Sequence, residues 1–160
     1  MPKSAADLAE GAKAPTFDLP ADGGGRLKLK DFSGKTLVLY FYPKDDTSGC
    51  TREALDFSAA GKKFEKAGAT VLGVSKDSVA AHDKFKAKHK LKVALGSDED
   101  GKTVEAYGVW VEKSMYGKKY MGIERATFLI DGKGVIRKVW RKVKVPGHVE
   151  EVLAEVKALG

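Results

Sequence analysis

Tyr42-Pro43-Lys44-Asp45-Asp46-Thr47-Ser48-Gly49-Cys50-Thr51-Arg52-Glu53 is the stretch on which the reading of this chain turns. It follows Thr36 to Tyr42, which is almost wholly apolar and rich in aromatic and branched side chains. A short run of that kind predicts a strand buried on both faces, as in the middle of a parallel sheet. Pro43 cannot donate to a sheet ladder and ends the strand. Small and polar residues then form a loop, and from Cys50 a helical pattern begins, with Ala54, Phe57, Ala60 and Phe64 on one face and Leu55 beside them. Cys50, the only cysteine, therefore stands where a loop becomes a helix.

That position has chemical consequences. The first N–H groups of a helix lack intrahelical partners, and the helix dipole places partial positive charge there, so a thiolate is favoured. Thr47 can put a hydroxyl into the same loop, and Gly49 lets the backbone come close to whatever Cys50 attacks. The plain alternative is an inert core cysteine, but Ser48, Gly49, Thr51 and Arg52 are poor core neighbours.

Outward from this stretch the chain reads as alternating elements. Pro15 to Pro20 and Leu27 to Leu29 are short strands around Asp22-Gly23-Gly24-Gly25, an amino-terminal hairpin, with residues 1–10 loosely ordered before it. After strand 36–42 and helix 51–66, closed by Gly68, come a strand from Ala69 to Val74 and a helix from Ser78 to about Lys90. A short strand from Lys92 to Leu95 and a short helix from Thr103 to Tyr107 follow; Trp110 to Met121 is irregular or extended. Ala126 to Ile130 and Val135 to Trp140 form a hairpin across Asp131-Gly132-Lys133-Gly134, and the last helix aligns Val149, Val152, Leu153, Val156 and Leu159. The expectation is one α/β domain over residues 1–160, a central mixed sheet with helices on its faces.

Pro43-x-x-x-Thr47-x-x-Cys50 resembles the active-site motif of the peroxiredoxins, thiol enzymes that reduce peroxides. Phe41 to Ala54, Tyr107-Gly108-Val109-Trp110-x-Glu112-Lys113-Ser114-Met115-Tyr116-Gly117, Gly122-Ile123-x-Arg125-x-Thr127-Phe128 and Gly11-x-x-Ala14-Pro15-x-Phe17-x-Leu19-Pro20 are similar to the Q-type, or bacterioferritin-comigratory-protein, branch. The resemblance spans nearly the whole chain and implies a thioredoxin-like fold. It also implies that Arg125 stands beside Cys50, where a guanidinium would stabilise the thiolate and bind the peroxide oxygens; without it, Arg125 reads as an exposed surface arginine.

The expected activity is thiol-dependent reduction of hydrogen peroxide and organic hydroperoxides through a Cys50 sulfenic acid. Cys50, Thr47 and Arg125 are the catalytic candidates. Pro43 and Gly49 shape the pocket, and Glu53 complements the helix dipole. No metal or organic cofactor is expected. Many Q-type members carry a second, resolving cysteine where this chain has Leu55, others where it has Lys86, and Ser48 stands where relatives often have proline. The expected reductant is therefore an outside thiol: thioredoxin, glutaredoxin, glutathione or a second subunit. A peroxide sensor using the same cysteine without efficient turnover is the alternative within this chemistry.

The net charge of +7 admits a basic nucleotide- or nucleic-acid-binding module, yet the basic residues are interleaved with acids, as in Lys62-Lys63-Phe64-Glu65-Lys66, and fit a solvated surface better. Gly96-Ser97-Asp98-Glu99-Asp100-Gly101-Lys102-Thr103 matches the P-loop pattern, but its carboxylates would repel phosphate, so it reads as an acidic surface turn, with Asp131 used in the hairpin. His82 and His89 share a helix side with Phe85 and read as partly buried surface residues, not metal ligands; Trp110 and Trp140 read as packing aromatics, Trp110 near the site's rim. With no apolar run near the ~20 residues a bilayer requires and no signal peptide, a cytoplasmic monomer is expected.

Overall fold

In the computed structural model, which describes residues 8–159, strand β3 (Thr36–Phe41) is the middle of a five-stranded sheet. The looseness expected of residues 1–10 falls for residues 1–7 outside this range. The sheet order is β5 (Ala94–Ser97), β4 (Ala69–Ser75), β3, β8 (Ala126–Ile130) and β9 (Ile136–Trp140). β3 runs parallel to β4 and antiparallel to β8, so the sheet is mixed, as expected. The apolar run explains the central place. Leu37, Leu39 and Phe41 enter one core with Leu72, Val74, Phe128 and Tyr107, while Val38, Tyr40 and Tyr42 enter the other with Phe57, Phe64, Val152 and Val156. Burying each such side chain stabilises the fold by roughly 1.5–3 kcal/mol, and only a strand covered on both faces collects this from every residue.

Helices α1 (Ser48–Ala59), α2 (Gly61–Lys66) and α5 (His148–Leu159) contribute to the second core, as do residues of α3 (Val79–His89). The single helix expected over 51–66 is two. Ala60 leaves helical geometry at φ −91° and ψ 2°, and its carbonyl accepts from both Lys63 and Phe64 to start a new turn. Gly61 makes the break inexpensive, and Phe64 is thereby set against Phe57, ring centres 5.9 Å apart. Leu55 faces outward, 40% exposed, as does Leu159 at the end of the α5 stripe.

The amino-terminal hairpin pairs β1 (Asp18–Pro20) with β2 (Arg26–Lys28). Around it the early chain touches both margins of the main sheet: Ala21 bridges to Gly96 on β5, while Gly11 N–H donates to the Ile136 carbonyl and Ile136 N–H to that of Ala12. The segment expected to be irregular or extended is extended, an ordered ribbon of β6 (Trp110–Met115) against β7 (Lys118–Ile123). Tyr116 and Gly117 join them with φ of 51° and 78°, the positive pair that a tight two-residue hairpin turn requires. α4 (Lys102–Ala106) completes the chain order between β5 and β6.

Candidate active site

The helix carrying Cys50 begins two residues earlier than expected, at Ser48, with Thr47 in extended geometry as its N-cap. Cys50 thus lies in the first turn of a twelve-residue helix, at the positive end of its dipole, and is 1% exposed. The Thr47 hydroxyl does not cap the helix but donates back to the Lys44 carbonyl at 2.9 Å, folding the exposed loop over itself. Pro43, half-buried, leads from β3 into that loop.

Arg125, distant in sequence, arrives beside Cys50 because β8 pairs antiparallel with β3. Phe41 at the end of β3 faces Ala126 at the start of β8, so the preceding residue stands at the mouth of the active loop. Its Nη2 donates to Cys50 Sγ at 3.3 Å and its Nη1 to Glu53 Oε1 at 2.7 Å. Glu53 is fully buried and does more than complement a dipole: it holds the guanidinium in place. Burial pushes its carboxyl up to about 7, against the downward pull of Arg125, and its second oxygen has no hydrogen-bond partner among the described residues. Gly49 has a role that the sequence reading attributed to a substrate. A Cβ there would sit 3.1 Å from Arg125 Nη2, so the glycine makes room for the guanidinium. Lys113, on β6, is also close: burial first, then Arg125, lowers its pKa.

Several participants were not foreseen. Tyr40 lies under the site with a hydroxyl that has no hydrogen-bond partner among the described residues, its pKa raised well above 10 by burial, Glu53 and Cys50. His148 is buried, its Nε2 2.8 Å from the Thr127 hydroxyl; burial, helped by Arg125, lowers its pKa to about 4. His82, expected as a partly buried surface residue with no acid cluster nearby, is instead completely buried against Asp45, with Asp77 close by. These groups satisfy one another. The His82 ring nitrogens face Asp45 and the Gly96 carbonyl, and Asp77 Oδ2 accepts from Asp45 N–H and the Ser75 hydroxyl. His89 meets Asp46 at 2.8 Å.

The P-loop match is settled by Asp98. It is buried, not on the surface, and its two oxygens accept from the N–H groups of Thr103 and Val104, so the chain's own carboxylate fills the place of a phosphate. Asp131 accepts from Lys133 and Val135 N–H groups within the β8–β9 turn. Trp110 packs against the first core with Lys76 Nζ 4.2 Å above its ring, and Trp140 packs against the second. The hollow of about 500 Å³ lined by Phe17, Leu29, Phe32, Leu37 and Ile130 opens at the opposite end of β3 from Cys50.

Residues 11–139 match the model of the AhpC/TSA family. The chain belongs to that family. Peroxiredoxin Bcp of Bacillus subtilis is 52% identical over 147 residues, covering 92% of this chain and 94% of that protein. A structure of Peroxiredoxin Q from Xanthomonas campestris superposes with a TM-score of 0.86 at 50% identity, covering 90% of this chain and 92% of that one. A second, of the Xanthomonas campestris bacterioferritin comigratory protein, gives 0.85 at 50% identity over 89% and 91% of the two chains, and concerns that protein's alkyl peroxide reduction activity. The fold is thus the thioredoxin-like one of the peroxiredoxins, and the chain is a peroxiredoxin enzyme of the Bcp, or Q, branch. No helix among the described residues is long and apolar enough to cross a membrane.

Proposed function

We propose that Cys50 is the thiol on which peroxide is reduced, with Arg125 and Thr47 as its partners and an external thiol as reductant. The observation that carries this reading is the contact of Arg125 Nη2 with Cys50 Sγ at 3.3 Å in the first turn of α1. The thiolate attacks one oxygen of a hydroperoxide; the S–O bond forms as the O–O bond breaks, and the departing oxygen takes a proton and leaves as water or an alcohol. Cys50 becomes a sulfenic acid. Arg125, held by Glu53, meets the negative charge as it moves from sulfur to oxygen. The Thr47 oxygen, its own proton directed at the Lys44 carbonyl, accepts from the peroxide O–H, and Pro43 and Gly49 shape the approach. Because the chain has a single cysteine, an outside thiol condenses with the sulfenic acid, releasing water; a second thiol then frees Cys50 by exchange.

Trapping with dimedone and mass spectrometry, with hydrogen peroxide and an alkyl hydroperoxide as oxidants, tests this. Arg125→Ala is expected to slow adduct formation at Cys50 by roughly a hundredfold to a thousandfold, and Thr47→Val by a smaller factor. A rate equal to that of a free thiol and indifferent to Arg125 would remove the mechanism.

A further inference from the structure

The two residues that precede Thr47 are both gripped by helix α3. Asp45 is buried, and its Oδ2 lies 2.7 Å from His82 Nδ1. Its Oδ1 accepts from the Tyr42 hydroxyl at 2.5 Å, and its N–H donates to Asp77 Oδ2 at 2.8 Å. Asp46 takes the left-handed region, φ 59°, which an aspartate tolerates better than most residues with a side chain. Its carboxylate accepts from Lys88 Nζ and faces His89 Nε2, both on α3, at 2.7 and 2.8 Å.

The geometry at His82 fixes a proton count. Nε2 lies 2.9 Å from the Gly96 carbonyl, which can only accept, so Nε2 carries hydrogen. The 2.7 Å contact between Nδ1 and Asp45 then also needs a proton, since otherwise a lone pair would face a carboxylate. The pair therefore holds a proton that a neutral imidazole and a free carboxylate would lack. Burial works to strip the imidazolium, but Asp45 prevails and the pKa of His82 is raised. The groups around the ring are Asp45 and Tyr42 from the loop side and Asp77 from the β4–α3 turn; β5 presents only the Gly96 carbonyl. On α3 itself, Lys86 is occupied with Asp22, and Asp83 with the Gly23 N–H.

We propose that His82 and Asp45 are positioning residues for the peroxidase site: the proton they share locks the loop to α3, and only the locked loop presents Thr47 and Cys50 in reactive register. This rests on the reading of Cys50 as the peroxide-reducing thiol. Because a proton bound more tightly in the folded chain is lost only at higher pH, the lock outlasts the proton of a free imidazole and fails as pH rises through the His82 pKa. The loop then loses its buried anchor while the Asp46 contacts remain.

Nitrogen and proton NMR of the imidazole, beside stopped-flow peroxide kinetics across pH, tests this. At neutral pH both ring nitrogens of His82 should carry protons, and the rate of the unaltered chain should fall on the alkaline side. Asp45→Asn keeps the contacts in neutral form, with the amide N–H donating to Nδ1. It should leave His82 singly protonated, abolish the alkaline fall and cost less than about tenfold in rate. Asp45→Ala should slow the reaction by about tenfold to about a hundredfold, the effect of displacing a reacting group by an ångström or less. A singly protonated His82 in the unaltered chain would overturn the proposal, as would an alkaline fall retained in Asp45→Asn, or Asp45→Ala reacting at the unaltered rate. Cys50→Ser separates the two readings. Peroxide consumption surviving that change would remove the role of Cys50, while the proton count at His82 would still stand or fall by its own spectrum.

Discussion

Replacing Glu53 by glutamine tests the electrostatics beneath the thiol. The folded chain holds this carboxyl at about 7 against an ordinary 4.5, burial being the main cause and Arg125 the main opposition. At about 1.4 kcal/mol per pH step, that gap amounts to roughly 3 kcal/mol of stability. The folded value is raised, so the contribution is complete below about pH 4.5 and is lost as pH climbs through about 7. His148, lowered to about 4, runs the other way: its contribution is present above 6.5 and is lost as acid approaches 4. The two slopes offset each other between those values in the unaltered chain. Glutamine carries no titrating proton and can still accept from Arg125 Nη1. The stability of Glu53→Gln relative to the unaltered chain should therefore rise by roughly 3 kcal/mol from about pH 4 to about pH 8, with His148 cancelling in the difference. Urea unfolding at intervals across that range, extrapolated linearly, supplies the numbers. A difference that stays constant with pH would mean that Glu53 ionises like a solvent-exposed glutamate, and the account of a strained buried pair would fail.

Gly49→Ala would place a methyl group 3.1 Å from Arg125 Nη2 and tilt the guanidinium off Cys50; peroxide reaction should slow by about tenfold or more while stability stays within about 1 kcal/mol, checked by kinetics and urea unfolding of one sample. Gly73→Ala would put a methyl carbon 2.6 Å from Tyr40 Cζ, a ring already stacked on Phe57 at 4.6 Å. A loss of about 1–3 kcal/mol in unfolding free energy is expected by urea titration, and no loss would show that Tyr40 is freer than its burial implies. Ser78→Ala removes the hydroxyl that accepts from Ala81 N–H at the start of α3 and should cost about 1 kcal/mol in thermal or urea unfolding.

What the sequence disclosed and what it hid divides by locality. The Thr36–Tyr42 run and the loop-to-helix placement of Cys50 were legible because burial of a central strand and the start of a helix leave marks in adjacent residues. Arg125 was tied to Cys50 only through family resemblance; physically the link is the antiparallel register of β3 with β8, which no local pattern reveals. His82 shared a helix face with Phe85, but periodicity cannot say that Asp45 and the Gly96 carbonyl occupy the other side of that contact. That Trp110 to Met121 could be extended was legible, but its pairing into the β6–β7 ribbon was not, because both faces are largely open to solvent and leave little apolar alternation to read. The Tyr116-Gly117 turn was its one local sign.

The bridges made by the early chain bear on how copies of this protein meet. A sheet margin with free N–H and C=O groups is a template on which another molecule's strand can add. Here Ala21 lies along β5, and residues 11 to 14 occupy the start of β9 and the turn before it through Gly11, Ala12 and Ala14. Both outer strands are therefore partly blocked by the chain's own backbone, at points where a partner's strand would have to begin pairing. The segment thus takes up part of the template on which a second copy could add a strand.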